Sequence, residues 1–469
     1  MSVASAADAG PARRHTPWLG RAEALIAGVL VLLFCSTRLL TALYGLPEAL
    51  PPGAANPYRR VFLLSYAGIL ALAAANWRSL GSLARQLPLL WLFHGLTLAS
   101  ILWSVQPGAT LRGAVALLMT SLFALVLHGR FGAVGAARVV LAVLLLLVIS
   151  SFVLLAIAPG QALHQMEHAG LLHGVFGHKN VAGNVLALAV PALVLVWQGQ
   201  AIGPRRAMLC TLLILVFIAL TGSKTSLLVV VMAFGVALAA PLSRGDLRVF
   251  AAMALAAGAL GGILVTLAVT APEMLTQAVG KDATFTGRTF IWQELAALVA
   301  ERPMLGHGYS ALWDLQYGPL YRFVEEWGIN AGHNAFLDLT VDLGLAGLLL
   351  FLAMIGAAAL RSALALRYGD RQLGLYALTL LGVLGLLSVS ETVLPVAHRL
   401  HWVCLVLALL AARQAPLILT DRSQQRRAQA FARKERRQRF DKTGVPSLHS
   451  DQQSKLPWPS QSERQDRKP

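Results

Sequence analysis

The sequence predicts an all-α polytopic membrane protein, and three observations lead there. Hydrophobic residues make up 57% of the 469 and charged residues only 13%, where a soluble domain carries roughly a quarter charged. Mean hydropathy is +0.64. The apolar residues fall in long continuous runs, and a helix of about 20 such residues spans the ~30 Å hydrocarbon core. Lipid offers no hydrogen-bond partners, so each run must satisfy its own backbone, which favours helices over open sheet. A transmembrane barrel would instead show short segments of alternating polarity.

Taken in order, a polar N-terminal segment over 1–21 precedes a first apolar run from about Ala24 to Leu43. That run is too long for a signal-peptide core and is expected to be retained. Further spans are expected near 61–76, 87–103, 111–128, 134–157, 181–198, 207–222, 225–242, 249–271, 342–360, 373–390 and 396–412, about twelve in all. The last two are separated by Glu391 and Pro395. One long hydrophilic loop, 272–332, separates the ninth and tenth spans, and the membrane domain covers 22–412. Within the loop, Ile291, Leu295, Leu298 and Val299 recur at helical spacing until Glu301-Arg302-Pro303 breaks the pattern. Gly306-His307-Gly308 reads as a tight turn, and Trp292, Trp313, Tyr317, Tyr321 and Trp327 suit a loop lying on the membrane interface. No internal repeat is visible.

Charge sets the orientation. With the N-terminus inside, the short inner loops hold Arg78, Arg85, Arg130, Arg138, Arg205, Arg206, Arg244, Arg248, Arg361, Arg367 and Arg371. The outer ones hold Arg59, Arg60, Arg112, Lys179, Lys224 and Arg399. The inner excess predicts cytoplasmic termini and an outward-facing loop. The tail, 413–469, carries 14 of the 39 Lys and Arg against six acids, about half of the net +17. Its composition cannot bury enough surface to fold alone, and anionic lipid headgroups are its expected partner. Nucleic acid is not expected, because no aromatic interleaving or nucleic-acid module accompanies the charge. Cys35, Cys210 and Cys404 sit inside apolar runs and read as packing residues, with no metal or redox spacing.

Polar side chains gather where the chain meets the outer rim. Thr221-Gly222-Ser223-Lys224-Thr225-Ser226 is a very short outer turn. Lys224 there is either a snorkelling interfacial lysine or an anion ligand. Thr286-Gly287-Arg288-Thr289 opens the amphipathic helix, whose N-terminus presents free N–H groups, while Arg288 adds a planar fork suited to phosphate. A surface salt bridge is the plainer reading of Arg288. Gly332-His333-Asn334 stands where the loop re-enters the membrane, followed by Gly344-Leu345-Ala346-Gly347, whose glycines would let that helix pack closely on a neighbour. His333 is either a hydrogen-bonded structural residue or a general base, since imidazole accepts a proton near neutral pH. With no Cys or second His beside it, metal ligation is disfavoured.

His333-Asn334, nine residues, then Gly344-x-x-Gly347 resembles the signature of bacterial O-antigen ligases and related polysaccharide polymerases. Thr286-Gly287-Arg288, Trp292, the Pro303–Gly308 segment, and Trp103-Ser104-x-x-Pro107 with Arg112 resemble the same family. Gly177-His178-Lys179-Asn180-x-x-Gly183 looks like its exopolysaccharide-production branch, and the resemblance covers roughly 60–410. It implies a membrane glycosyltransferase that takes glycans from an undecaprenyl-diphosphate carrier and passes them to a growing saccharide or to lipid A core. By resemblance, His333 is catalytic, Arg288 contacts the diphosphate, and Lys224 stands where many ligases have Ser-Arg, keeping the charge but losing bidentate geometry. Two cations would stabilise the leaving diphosphate while a base deprotonates the acceptor hydroxyl. A metal or other cofactor need not be essential, and inversion at the anomeric carbon would follow. Lys179 and His178 either belong to a solvated loop or bind acceptor or diphosphate beside Lys224, with Asn334 a further substrate contact. Polymerase, ligase and protein O-oligosaccharyltransferase stay open at this point. A transporter or flippase is the competing class, disfavoured because the polar residues stay at the rim rather than crossing the bilayer.

Overall fold

A computed structural model describes residues 17–35, 59–166, 168–242, 288–313, 318–327, 329 and 331–415. All of them belong to the first of two units into which the chain divides, Met1–Pro416. The second, Leu417–Pro469, lies outside them. So do the ninth expected span at 249–271, the start of the long loop, Thr286-Gly287 and Tyr317.

The described chain is helical, with only an isolated bridge between Leu163 and Leu172. The helices are α1 (Pro17–Cys35), α2 (Arg59–Ala75), α3 (Trp77–Arg85), α4 (Pro88–Ala99), α5 (Pro107–Ile157), α6 (Lys179–Ala187), α7 (Ala189–Gln198), α8 (Pro204–Thr221), α9 (Lys224–Leu242), α10 (Arg288–Glu301), α11 (Tyr321–Trp327), α12 (Ala335–Tyr368), α13 (Arg371–Ser390) and α14 (Leu400–Gln414). Proline opens α4, α5 and α8 within their first turn, where its missing N–H costs nothing.

Five of the described helices, with α6 and α7 taken as one, are long and apolar enough to cross a membrane; α2 with α3, bent by 92°, would make six. The sequence predicts about twelve spans; the ninth and the end of the first lie outside the described residues, and particular residues account for part of the remaining difference. Gly132, at φ +67° and ψ 179°, breaks the 51-residue α5, so one element carries both the fourth and fifth expected spans. The apolar pieces Pro88–Leu102 and Leu400–Gln414 are shorter than a span needs. At about 1.5 Å per residue they fall short of the ~30 Å core.

The core centres on α14, which is buried from Leu400 through Ala412, Trp402 included. A helix apolar all round must lie inside a bundle. α13 packs beside it and is buried over much of its length, and α7, buried likewise, packs against α13. The outward faces are apolar as well: Leu64, Leu146, Val153, Leu209, Leu212, Leu349 and Leu360 are all more than half exposed. That is the surface a hydrocarbon surround requires.

The pairings separate the loops into two groups. Arg130 pairs with Glu23, His128 with Gln414 at 2.6 Å, Arg361 with the Ala412 carbonyl, and Gln372 with the Gln198 carbonyl. These residues all lie at the ends read as inner. The contacts of Trp103, Asn180, Arg288, His333 and Glu391 join loops read as outer.

Gly344 does something other than helix packing. With φ +65° and ψ −167° it opens α12, and the loop after α10 fills the opening. Leu345 N donates to Pro303 O at 2.8 Å and Ala346 N to Met304 O at 3.1 Å; His307 N and Gly308 N donate to Val341 O and Asp342 O. Backbone groups orphaned by the break are thus satisfied by the loop. A Cβ on Gly344 would lie 2.2 Å from Met304 C. The same loop holds the Trp103 segment: Trp103 Nε1 donates to Leu305 O at 2.9 Å and Val105 N to His307 O at 2.9 Å. Ile291, Leu295, Leu298 and Val299 bury one face of α10, as the spacing predicts, against Leu312, Leu320, Phe323 and Val341. Trp292 and Trp313 pack into that same cluster rather than serving only as interface anchors.

Candidate active site

Glu391, the residue after α13, is the centre of the site. Its Oε2 lies 3.0 Å from His333 Nδ1. Its Oε1 accepts from Arg288 Nη2 at 3.2 Å and from Asn180 Nδ2 at 3.3 Å. Arg288 Nη1 donates to Ser390 O at 2.7 Å. Four parts of the chain, from α6, α10, the entrance to α12 and the end of α13, therefore meet on one carboxylate. Burial pushes the Glu391 pKa up, but the His333 hydrogen bond and the Arg288 charge outweigh it and hold the carboxyl below its usual value. An ionised carboxylate only accepts, so His333 Nδ1 is the donor. In the neutral ring that leaves the lone pair on Nε2. The His333 side chain is 34% exposed and Glu391 16%, so the imidazole is reachable while its partner is sheltered.

Local sequence explains the placement. Asn334 caps α12, its Oδ1 accepting from Phe336 N and Leu337 N at 3.1 and 3.0 Å. His333 stands one residue before the cap at φ +53°. Asn334 Oδ1 is thereby committed to the helix, which leaves the amide nitrogen for any contact with substrate. Arg288 is the first residue of α10, and the buried face of that helix fixes where its guanidinium starts. Gly177, at φ +84°, turns the chain into α6, whose cap is His178: its Nδ1 accepts from Asn180 N at 3.2 Å. Gly183 admits α9, since a Cβ there would lie 2.4 Å from Ser226 Oγ. Ser226 in turn donates to Asn184 Oδ1 at 3.0 Å.

His178 lies within electrostatic reach of Glu391, His333 and Lys179, so the α6 entrance belongs to the same neighbourhood. Lys224 is exposed at the start of α9, the helix tied to α6 through Ser226. His164, His168, His173 and His178 form a ring-against-ring group, with centroids 4.6–5.8 Å apart in four pairs. His164 Nε2 accepts from Lys179 N at 3.1 Å. Burial, then the other histidines, push His164 down to about 4, and burial lowers His178 as well. Both are therefore neutral at neutral pH, and fixed positive charge here comes from Lys179, Arg288 and Arg399. Among the described residues, no three His, Cys, Asp or Glu side chains are arranged to hold a metal ion.

Sequence reasoning missed Glu391, Asn180 and Arg399 as site residues. Glu391 looked like an interruption between two spans; an acid at the rim of an apolar bundle was the signal available. Arg399, exposed at the cap of α14, lies within electrostatic reach of Glu391.

Residues 209–352, which include Lys224, Arg288 and His333, match the family described as O-antigen ligase. The chain is also 26% identical over 328 residues to the exopolysaccharide production protein ExoQ of Rhizobium meliloti, an alignment covering 64% of this chain and 71% of the relative.

Proposed function

Because the chain belongs to the O-antigen ligase and polysaccharide polymerase family, in its exopolysaccharide-production branch, we propose that it transfers glycan from an undecaprenyl-diphosphate carrier to a saccharide hydroxyl on the periplasmic side of the inner membrane. The observation that carries this reading is the joint hold of Glu391 on His333 Nδ1 and Arg288. Glu391 orients the imidazole, and Nε2 takes the proton of the acceptor hydroxyl as its oxygen attacks the anomeric carbon. The bond from that carbon to the diphosphate oxygen breaks, the electron pair leaves with the diphosphate, and the anomeric configuration inverts. Arg288 has further N–H groups beyond the two spent on Ser390 and Glu391, and these face the charge that develops on the leaving diphosphate. Lys179, Lys224 and Arg399 add positive charge around it, and His178 contributes a neutral N–H to donor or acceptor. With that charge supplied by side chains, the displacement needs no metal. The exopolysaccharide relative favours polymerisation of repeat units over transfer to lipid A core.

Transfer of labelled glycan from undecaprenyl diphosphate in proteoliposomes tests the reading. Removing a general base costs about 10²–10⁴-fold, so His333→Gln is expected to bind the donor and fail to transfer it. Near wild-type transfer by His333→Gln would reduce the histidine to an orienting residue. Transfer abolished by EDTA and restored by a divalent ion would overturn the metal-free step.

A further inference from the structure

We propose that Asp338 is a positioning residue that sets the separation of His333 and Glu391 by tying together the two loops that carry them. Asp338 lies in the first turn of α12 and is 8% exposed. Its carboxylate receives donors from three segments. Gly332 N donates to Oδ1 and Oδ2 at 3.1 and 3.0 Å, Trp313 Nε1 donates to Oδ1 at 3.3 Å, and Thr392 Oγ1 donates to Oδ2. Gly332 immediately precedes His333, and Thr392 immediately follows Glu391. A single buried carboxylate therefore anchors the neighbour of each member of the pair.

The anchoring is close on both sides. Gly332 is held through its N–H by Asp338 and through its carbonyl by Trp292 Nε1 at 2.8 Å. A Cβ at Gly332 would lie 2.5 Å from Leu295 Cδ1 and 2.7 Å from Asp338 Oδ1, so any side chain there would displace Leu295 and the Asp338 carboxylate. His333 follows at φ +53°, a conformation that persists in a non-glycine residue only where the surroundings impose it. Thr392 carries the side-chain link from this anchor to the Glu391 loop. A buried acid in a first helical turn also suits the helix dipole, but that role requires neither Thr392 nor a particular distance from His333 to Glu391.

The inference rests on the reading of His333 as a base held by Glu391, and a double-mutant cycle separates the two. Thr392→Val removes one arm and leaves Asp338 its other donors. It is expected to lower kcat by about 10- to 100-fold, leaving KM and donor binding unchanged, and Thr392→Ser is expected to restore the rate. In a Glu391→Gln background, Thr392→Val is expected to add less than about twofold, because the geometry it disturbs is already lost. Equal loss in both backgrounds, or a wild-type kcat in Thr392→Val, would overturn the positioning role while leaving the base in place. A fully active Glu391→Gln would overturn both. Asp338→Asn supplies a second variant that keeps the side-chain shape, expected to lose kcat at least as severely as Thr392→Val.

Discussion

Glu391 and His333 are 58 residues apart in the chain and 3.0 Å apart in the fold. The contact gives the histidine a fixed tautomer and would give the imidazolium of the proposed proton uptake an adjacent negative charge. Glu391→Gln keeps the shape and removes the charge, and is expected to lower transfer by about 10²-fold with donor binding retained. The same carboxyl titrates below its ordinary value of 4.5 in the native protein. Its contribution to stability is therefore complete above that ordinary value and is lost as pH falls through the lower native one. Thermal unfolding in detergent from about pH 7 down to about pH 3 is expected to show this acid-side loss in the wild type and a weaker loss in Glu391→Gln. Identical acid profiles would mean that the carboxylate is not paired in the native state.

Gly344→Ala is expected to destabilise the protein by several kcal/mol, on the order of 3 or more, since strain at positive φ adds to a clash with backbone that cannot move aside. Gly356, where an added Cβ would meet nothing within 4 Å, is the control in the same helix, and Gly356→Ala is expected to be neutral or slightly stabilising. Melting temperatures in detergent decide the matter. Equal melting temperatures for the two variants would show that the loop over residues 303–308 does not seat on the α12 break.

Some of this architecture is readable along the chain and some is not. The apolar runs, the turn at Gly306-His307-Gly308 and the buried face of α10 follow from local periodicity and glycine chemistry, so sequence alone gives them. His333 and Arg288 are legible through a motif. Glu391 is not, because its partners come from positions 211, 103 and 58 residues away and nothing next to it in the chain signals a site. Trp292 and Trp313 look like interface anchors because an indole suits both roles; the carbonyl of Gly332 and the carboxylate of Asp338 that receive their N–H groups lie in a different segment. That the fourth and fifth expected spans form one element broken at Gly132 follows from backbone angles no periodicity reveals.

Arg288 and Lys224 are expected to act on the diphosphate from two helices, α10 and α9. Arg288→Ala is expected to lose transfer and Arg288→Lys to recover only part of it, because an ammonium group cannot span Ser390 O, Glu391 and phosphate with one planar fork. Lys224→Arg is expected to be tolerated, since it keeps the charge and adds donors. Donor titrations with purified variants, alongside transfer rates, distinguish weaker binding from slower chemistry. A double alanine variant with full activity at normal protein levels would remove diphosphate binding from both residues.

The proposed chemistry requires the loop after α10 to face the periplasm, and the argument for that is charge. The inner-assigned short loops carry eleven Lys and Arg against six outside, and the pairings described above stay within each group of loops. Met304 is 63% exposed on the outer-assigned loop and Gly203 is exposed on an inner-assigned one, so cysteines placed there report opposite faces. Cys35 and Cys404 are buried, and Cys210 is partly so; a Cys210→Ala background removes the one native thiol an aqueous reagent could reach. An impermeant maleimide is expected to label Met304→Cys in intact spheroplasts and Gly203→Cys only in inverted vesicles. The reverse pattern would turn the molecule over. His333, Glu391 and Arg288 would then face the cytoplasm, and a donor presented on the outer leaflet could not reach them.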